Sequence, residues 1–561
     1  MLRGTTRTIA FAATLLAATS AFAAAPAAPK KKPRVAAPPV VAPVAKSWPD
    51  VSVNVYDRIT DPGTAAIRAA LAAIPKAVDK KEAAGIRAFY AQRGYQPVWT
   101  PDGAISDHGK AVIARLAVAD TDGLDPKAYP TPAADLGGTG ADPAALANAE
   151  VTLSLAVVAY GHDAYAGRLV PGEVSPNIGW QAKEVDPAAI LASVSSADDP
   201  ASVLADYNPQ QKEFVLLRGK LAELRAAADK SKERIEIPAG PTLKPGMTDA
   251  RVILIRQRFE LPTDVAEADV YDPAVVAAVE AFQKSRKIKA DGIIGKGTLA
   301  VINKGDPDPL PLVLANMERW RWMPRNLGNF YVRVNIPNFD LDVYSDGNVI
   351  YNTRIVVGKV DLPTPVFSDR IQFAVVNPAW SVPSSILAKE YLPALRNGGV
   401  PKGFEVYAKV GGRFRAVDPY MVNWATVGPN DIQLRQPPGE RNALGVIKFM
   451  FPNKYAVYLH DTPSKALFKN DYRAYSHGCM RVMNPWDFAD VLFTQESGWT
   501  VARLKKLVGG PEKRVDFPRP INVHITYFTA WVDDSGDLQT RPDLYGHDKR
   551  VEQALGLLAT D

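Results

Sequence analysis

The sequence predicts a multidomain α+β protein: a long helical domain, a small module of three helices, and a mainly β domain with a lid insertion. Three observations carry this. Apolar residues fall on 3.6-residue faces from Trp48 to about Ile235, a compact unit with a capped helix and a glycine turn follows, and from Asn329 the pattern switches to alternating β runs. With 47% hydrophobic and 22% charged residues over 561 positions, large cores are permitted.

At the start of the chain, Arg3 and Arg7 precede an apolar run from Ile9 to Ala18, and Ala21-Phe22-Ala23 puts small residues where a signal peptidase cuts. Residues 1–23 therefore read as a cleaved secretory signal, an uncleaved membrane anchor being the other reading. Residues 24–47, rich in Ala, Pro and Val, predict an extended tether. The net charge is +6, but Arg3 and Arg7 leave with the signal, and Lys30, Lys31, Lys32 and Arg34 of the tether account for the remainder. The folded body is near neutral, which argues against a nucleic-acid partner.

In residues 48–235, helical periodicity is clear in AAIRAALAAI (65–74) and LANAEVTLSLAVVAYGHDAYAG (146–167). This domain shows no chemical motif, and the isolated His108 and His162 read as structural or surface residues. In the module, residues 240–305, Asp272 is a cap, Pro273 opens a helix, and Val275, Val276, Val279 and Phe282 line one face. Its phrase Phe282-Gln283, Ile288, Asp291-Gly292-Ile293-Ile294-Gly295 and Thr298 resembles that of PGBD-like peptidoglycan-binding modules. Most of the phrase makes a core and a turn, so it speaks to fold before binding.

The third domain, residues 308–550, opens with YVRVNI (331–336) and LDVYS-DG-NVIYNTRIVVG (341–358), where Asp346-Gly347 predicts a hairpin turn. IQFAVVNPAW (371–380), KYAVYLHDT (454–462) and INVHITYFTAWVDD (521–534) predict further strands. Residues 381–441 interrupt them as a Pro- and Gly-rich insertion with one helical piece, SSILAKEYLPALRNGG. A loop-rich segment of that length beside a β core predicts a lid over a site. Residues 551–561 read as a C-terminal tail.

The stretch AYSHGCMRV (474–482) holds Cys479, the chain's single cysteine. A lone cysteine is ordinarily a small buried hydrophobe, but in an exported chain an unpaired thiol is a liability unless it works. A working thiol needs a base, since an ordinary pKa of ~8.5 leaves only a small thiolate fraction at neutral pH. Of six histidines two are candidates: His460, at the end of YAVYLH, and His477, two residues before the cysteine. The residues alone leave that choice open. If the segment is extended, His477, Cys479 and Arg481 project to one side. Gly478, without Cβ, permits a sharp turn and the close approach of a substrate carbonyl, and neighbouring N–H groups then form an oxyanion hole. Arg481 suits a two-pronged hold on a carboxylate, or a structural ion pair. Ser476 either bonds the base or fixes the loop, and Tyr458 either lines the pocket on the face of His460 or packs in the core. Asp461, adjacent to His460 on a strand, points the other way and is left out.

His460, fifteen residues, then Ser476-His477-Gly478-Cys479, Met480 and Arg481 resembles the signature of the YkuD-type L,D-transpeptidases. ALGVIKFMFPNKYAVYLHDTP (443–463) extends the likeness to the larger, YcbB-like Gram-negative subclass, which has a helical scaffold domain, a wall-binding module and a lid insertion. The likeness is strongest from Ala443 to Val482 and weakest before residue 235. It implies that Cys479 is the nucleophile, that His460 is its base, oriented by a backbone carbonyl, and that His477 shapes the pocket. It also implies a periplasmic enzyme without metal or cofactor, forming 3→3 crosslinks between peptidoglycan stem peptides. The donor tetrapeptide would form a thioester with loss of D-Ala, an acceptor amine would resolve it, and carbapenems would inhibit covalently. The alternatives are an L,D-carboxypeptidase using the same thioester, or a non-catalytic wall-binding scaffold. Neither oligomeric state nor physiological acceptor is written in the motif. A papain-like peptidase would place its cysteine before its histidine, and a sortase would not carry Ser-His-Gly-Cys.

Overall fold

The computed structural model describes residues 61–230, 235–304, 308–397, 402–494 and 498–558. The signal reading over 1–23, the tether over 24–47 and the helical domain up to residue 60 lie outside the described residues. In the helical domain Asp61, Asp142, Asp186 and Asp199 each cap a helix that has proline in its first turn. Its central helix, Pro143–Ala166, buries Leu153, Val157, Tyr160 and Ala164 completely. By length and composition this helix is apolar enough to cross a membrane, with a mean hydropathy of 1.4. Those same apolar side chains fill the domain's core.

The module packs helices Arg251–Arg258, Pro273–Ser285 and Lys296–Lys304 around Val252, Ile255, Val275, Val279 and Ile302. Asp272 caps the second helix by accepting from Val275 N–H at 3.0 Å. Gln283 is buried, and its Oε1 accepts from the N–H groups of Asp291 (3.0 Å) and Gly292 (2.9 Å). Its Nε2 donates to Ile293 O at 3.0 Å. One side chain thus holds the whole Asp-Gly turn.

The third domain is β-rich. Its strands are β1 (Phe330–Asn335), β2 (Asp340–Ser345), β3 (Asn348–Gly358), β4 (Phe367–Val376), β5 (Trp380–Ser381), β6 (Glu405–Val410), β7 (Arg413–Val417), β8 (Ile432–Gln436), β9 (Ile447–Met450), β10 (Leu459–His460), β11 (Ala474–Ser476), β12 (Met480–Val482), β13 (Lys513–Thr526), β14 (Ala530–Val532) and β15 (Leu538–Thr540). Nine of them form one sheet in the order β11-β3-β12-β10-β9-β4-β13-β1-β2, and β2 also pairs with β3, so the sheet closes on itself. Asp346 and Gly347 turn the β2–β3 hairpin at φ +48° and +81°. Helix Leu310–Trp322, entirely buried from Val313 onward, joins this barrel to the helical domain. Its Arg321 Nη2 donates to Asp122 O at 2.6 Å, and its Arg319 pairs with Asp548 at 2.6 Å.

Three segments differ from the sequence expectation. The run 454–462 is a strand only at Leu459–His460, because Asn453 pulls the preceding chain into a turn. Its Nδ2 donates to Phe451 O (2.6 Å) and Val457 O (2.8 Å), and its Oδ1 accepts from Tyr455 N–H at 3.0 Å. The insertion at 381–441 is more than a loop-rich segment with one helical piece. It has its own sheet, β5-β8-β6-β7, and its own core of Val382, Leu387, Leu392, Leu395, Val406, Ile432 and Leu434. Helix His547–Ala554 runs across the boundary set at 550, and Val551 and Leu555 are buried in the barrel's core.

Candidate active site

Strand β10 lies between β9 and β12, with His460 in register with Lys448 on one side and Arg481 on the other. In-register residues share a sheet face, so Lys448, His460 and Arg481 form a row across three strands. Their neighbours Phe449, Leu459 and Met480, fully buried, anchor the opposite face. Cys479, half-buried, leads into β12, with Sγ 4.0 Å from Ala456 O. The turn before it is held from within: Ser476 Oγ donates to Cys479 O at 2.5 Å and accepts from Gly478 N–H at 3.2 Å. Gly478 stands at φ +108°, a conformation that side chains disfavour. The helical domain reaches the same region, since Gly179 lies so close to Tyr455 that a Cβ there would be 2.0 Å from its hydroxyl.

His460 Nδ1 faces Asp461 O at 2.5 Å, so Nδ1 carries the proton and Nε2 is left as an acceptor. Burial, and then the Arg481 charge, pull its pKa down to about 3. Burial pushes the Cys479 thiol up to about 11, against the opposing pull of the Tyr458 amide, Arg481, Lys448 and the Tyr458 hydroxyl. At neutral pH the resting pair is therefore a neutral thiol and a neutral imidazole. Burial also lowers the pKa of Lys448 and of Arg481, so two poorly solvated cations flank the sulfur, ready to favour negative charge there.

Tyr458 and Arg481 lie close to both Cys479 and His460. The Tyr458 ring packs edge-on against the His460 imidazole at 5.7 Å. Among the described residues no carboxylate pairs with Arg481, and its Nε is buried without a partner. Ser476 fixes the loop. Asp461 accepts from Val446 N–H at 3.0 Å and pairs with Lys465 at 2.7 Å, a structural role consistent with leaving it out. His477 departs from expectation. The chain through Gly478 is turned, not extended, and His477 Nε2 meets Glu390 Oε1 in the insertion. Glu390 lies in a single π turn, Leu387–Tyr391. Sequence reading missed Lys448, which an alternating apolar pattern around Ile447, Phe449 and His460 would have flagged. It also missed Thr364, whose Oγ1 donates to Gly478 O at 2.8 Å and for which no local signal existed.

Residues 329–497 match the family model described as "L,D-transpeptidase catalytic domain". The chain carries a YkuD L,D-transpeptidase catalytic domain. Ahead of the YkuD domain, residues 84–221 match a "Scaffold domain" and residues 248–302 a "Putative peptidoglycan binding domain". A curated relative from Haemophilus influenzae, named "Putative L,D-transpeptidase", is 34% identical over 242 residues. That match covers 43% of this chain and 48% of the relative, so the chain spans about half the length of the relative it matches. Among solved structures, an L,D-transpeptidase from Mycobacterium smegmatis is 14% identical over 35% of this chain and 58% of that one, with a TM-score of 0.18. One from Xylanimonas cellulosilytica is 17% identical over 52% of this chain and 99% of that one, with a TM-score of 0.15. Superpositions this loose carry no argument; the assignment rests on the family match and the barrel itself.

Proposed function

We propose that this chain is an exported peptidoglycan L,D-transpeptidase in which Cys479 is the nucleophile and His460 the base. The observation that carries the reading is that the lone thiol and a buried imidazole whose free nitrogen is Nε2 share Arg481, Lys448 and Tyr458 as neighbours. Because both groups are neutral at rest, attack is coupled to proton transfer. Sγ bonds to the carbonyl carbon of the third stem residue as its proton passes to His460 Nε2. Backbone N–H groups at the Gly478 turn face the developing oxyanion, and Arg481 and Lys448 favour the charge. Collapse breaks the amide bond, the D-Ala amine leaves with the proton from His460, and a thioester remains. The amine of a second stem then attacks, yields its proton to His460, and releases the thiol with the 3→3 crosslink formed.

Arg481, half-buried and without a carboxylate partner among the described residues, is the candidate group for a stem-peptide carboxylate. The insertion over residues 381–441 would favour amine over water by covering the cleft. Intact-mass spectrometry after exposure to a carbapenem tests the nucleophile: one adduct is expected, absent in Cys479→Ala, and an unmodified mass from folded wild type would reject the enzyme. Incubation with disaccharide tetrapeptides separates the products, crosslinked dimers supporting transpeptidation and accumulated tripeptides supporting the carboxypeptidase.

A further inference from the structure

Beneath the nucleophile turn lies a closed set of buried hydrogen bonds with a single outlet. Gly358 N–H donates to Thr364 Oγ1 at 2.9 Å. The Thr364 hydroxyl, having accepted there, donates its own proton to Gly478 O at 2.8 Å. Tyr545 OH donates to Gly358 O at 2.6 Å and accepts from Thr364 N–H at 3.2 Å. Thr364 is completely buried and Tyr545 nearly so. The packing leaves no slack, because a Cβ on Gly358 would stand 2.3 Å from Leu362 O and 2.7 Å from Thr364 N.

A trans peptide is planar, with its C=O and N–H pointing in opposite directions. Fixing Gly478 C=O toward the buried Thr364 therefore turns the N–H of the same peptide, that of Cys479, away from the core. Gly478 N–H is already taken by Ser476 Oγ, whereas among the described residues no acceptor takes the Cys479 N–H. A hydrogen bond received by the carbonyl also polarises the amide, making its N–H a stronger donor.

We propose that Thr364, braced by Tyr545, is a positioning residue that orients and polarises the Gly478–Cys479 peptide so that Cys479 N–H is the principal oxyanion donor. The inference rests on the acyl-transfer reading given above. It predicts a division between two reactions of one sulfur. Acylation passes through an oxyanion, whereas alkylation by iodoacetamide is a direct displacement at carbon and forms none.

The test measures both on wild type, Thr364→Val, Thr364→Ser and Tyr545→Phe. In Thr364→Val, which keeps the shape and loses the hydroxyl, the maximal rate of carbapenem acylation should fall roughly tenfold to a hundredfold, the range of one hydrogen bond made to developing charge. Its half-saturating concentration and its alkylation rate should stay within about twofold of wild type, as befits a group that touches neither sulfur nor ligand. Thr364→Ser should restore acylation, and Tyr545→Phe should show the same selective loss to a smaller degree. Acylation at the wild-type rate in Thr364→Val, or equal slowing of acylation and alkylation, overturns the proposal. If Thr364→Val does not fold, unselective slowing in Tyr545→Phe overturns it as well. Failure of the wild type to acylate while it still alkylates would sink the enzyme reading itself, and this inference with it.

Discussion

Two glycine turns, one in the module matched as a putative peptidoglycan binding domain and one before Cys479, are built on the same plan and end differently. Both place glycine at positive φ, Gly292 at +63° and Gly478 at +108°, and both are locked by buried side chains. In the module the lock is Gln283, eight and nine residues away, and it pairs both turn N–H groups. At Gly478 the lock comes from Thr364, 114 residues away, and from Ser476, and it leaves groups unused. Among the described residues, Cys479 N–H, Arg481 Nε and His460 Nε2 all keep hydrogen-bonding capacity in hand. A turn whose groups are all paired is architecture. One that a fold holds rigid while leaving donors unpaired is prepared for something to arrive.

The comparison breaks most visibly at His460. His460→Gln should lower carbapenem acylation by about 10²- to 10⁴-fold, the usual span for a general base, with the melting temperature little changed. Loss of less than about tenfold would show that the free imidazole nitrogen is not the proton acceptor.

Next in size is the response of the thiol to pH. With the Cys479 pKa pushed up to about 11, the thiolate fraction grows with alkalinity throughout the accessible range. Iodoacetamide alkylation of the free protein should rise about tenfold per pH unit from pH 7 to 10. His460, pulled down to about 3, stays unprotonated across that range and adds no inflection. A plateau beginning below pH 7 would instead reveal a resting thiolate–imidazolium pair.

The module's turn should respond in the opposite manner. Gln283→Leu strands the Asp291 and Gly292 N–H groups and should cost the module about 1–3 kcal/mol, read as a lowered melting transition. Acylation of Cys479 should not change, since Gln283 supports only its own turn.

What was legible in the sequence follows the same division between near and far. The Asp272 cap, the Asp346-Gly347 hairpin and the Phe282–Thr298 phrase are local devices, and each forms as its residues dictate. The proposed pairing of Cys479 with His460 rests on spacing and family likeness, not on physics read along the chain. Thr364 and Tyr545 were invisible because a buried threonine under a distant turn leaves no periodic or motif trace. The strand through Tyr458 was overestimated because the cross-bonding of Asn453, a side-chain-to-backbone competition, outweighs the β propensity of KYAVYL. The insertion was underestimated because its proline and glycine content hid the alternation in β6 and β8 that builds a separate core.

His477 provides the smallest and most discriminating contrast. It sits two residues from Cys479, yet the turn at Gly478 sends it outward to Glu390, a pair whose side chains are 27% and 44% exposed. An exposed pair of this kind contributes less than about 1 kcal/mol. His477→Ala should therefore leave the maximal acylation rate within about threefold of wild type, and Glu390→Gln should match it. The double variant should be no worse than either single one, since both remove the same contact between the turn and the insertion. Any effect should fall on the half-saturating concentration, because the contact joins the turn to the insertion and involves neither the sulfur nor His460. Should His477→Ala instead reduce the rate as severely as His460→Gln, the outward histidine would have to swing in during catalysis. The turn at Gly478 would then be a hinge, and its rigidity, on which the contrast with the module depends, would be lost.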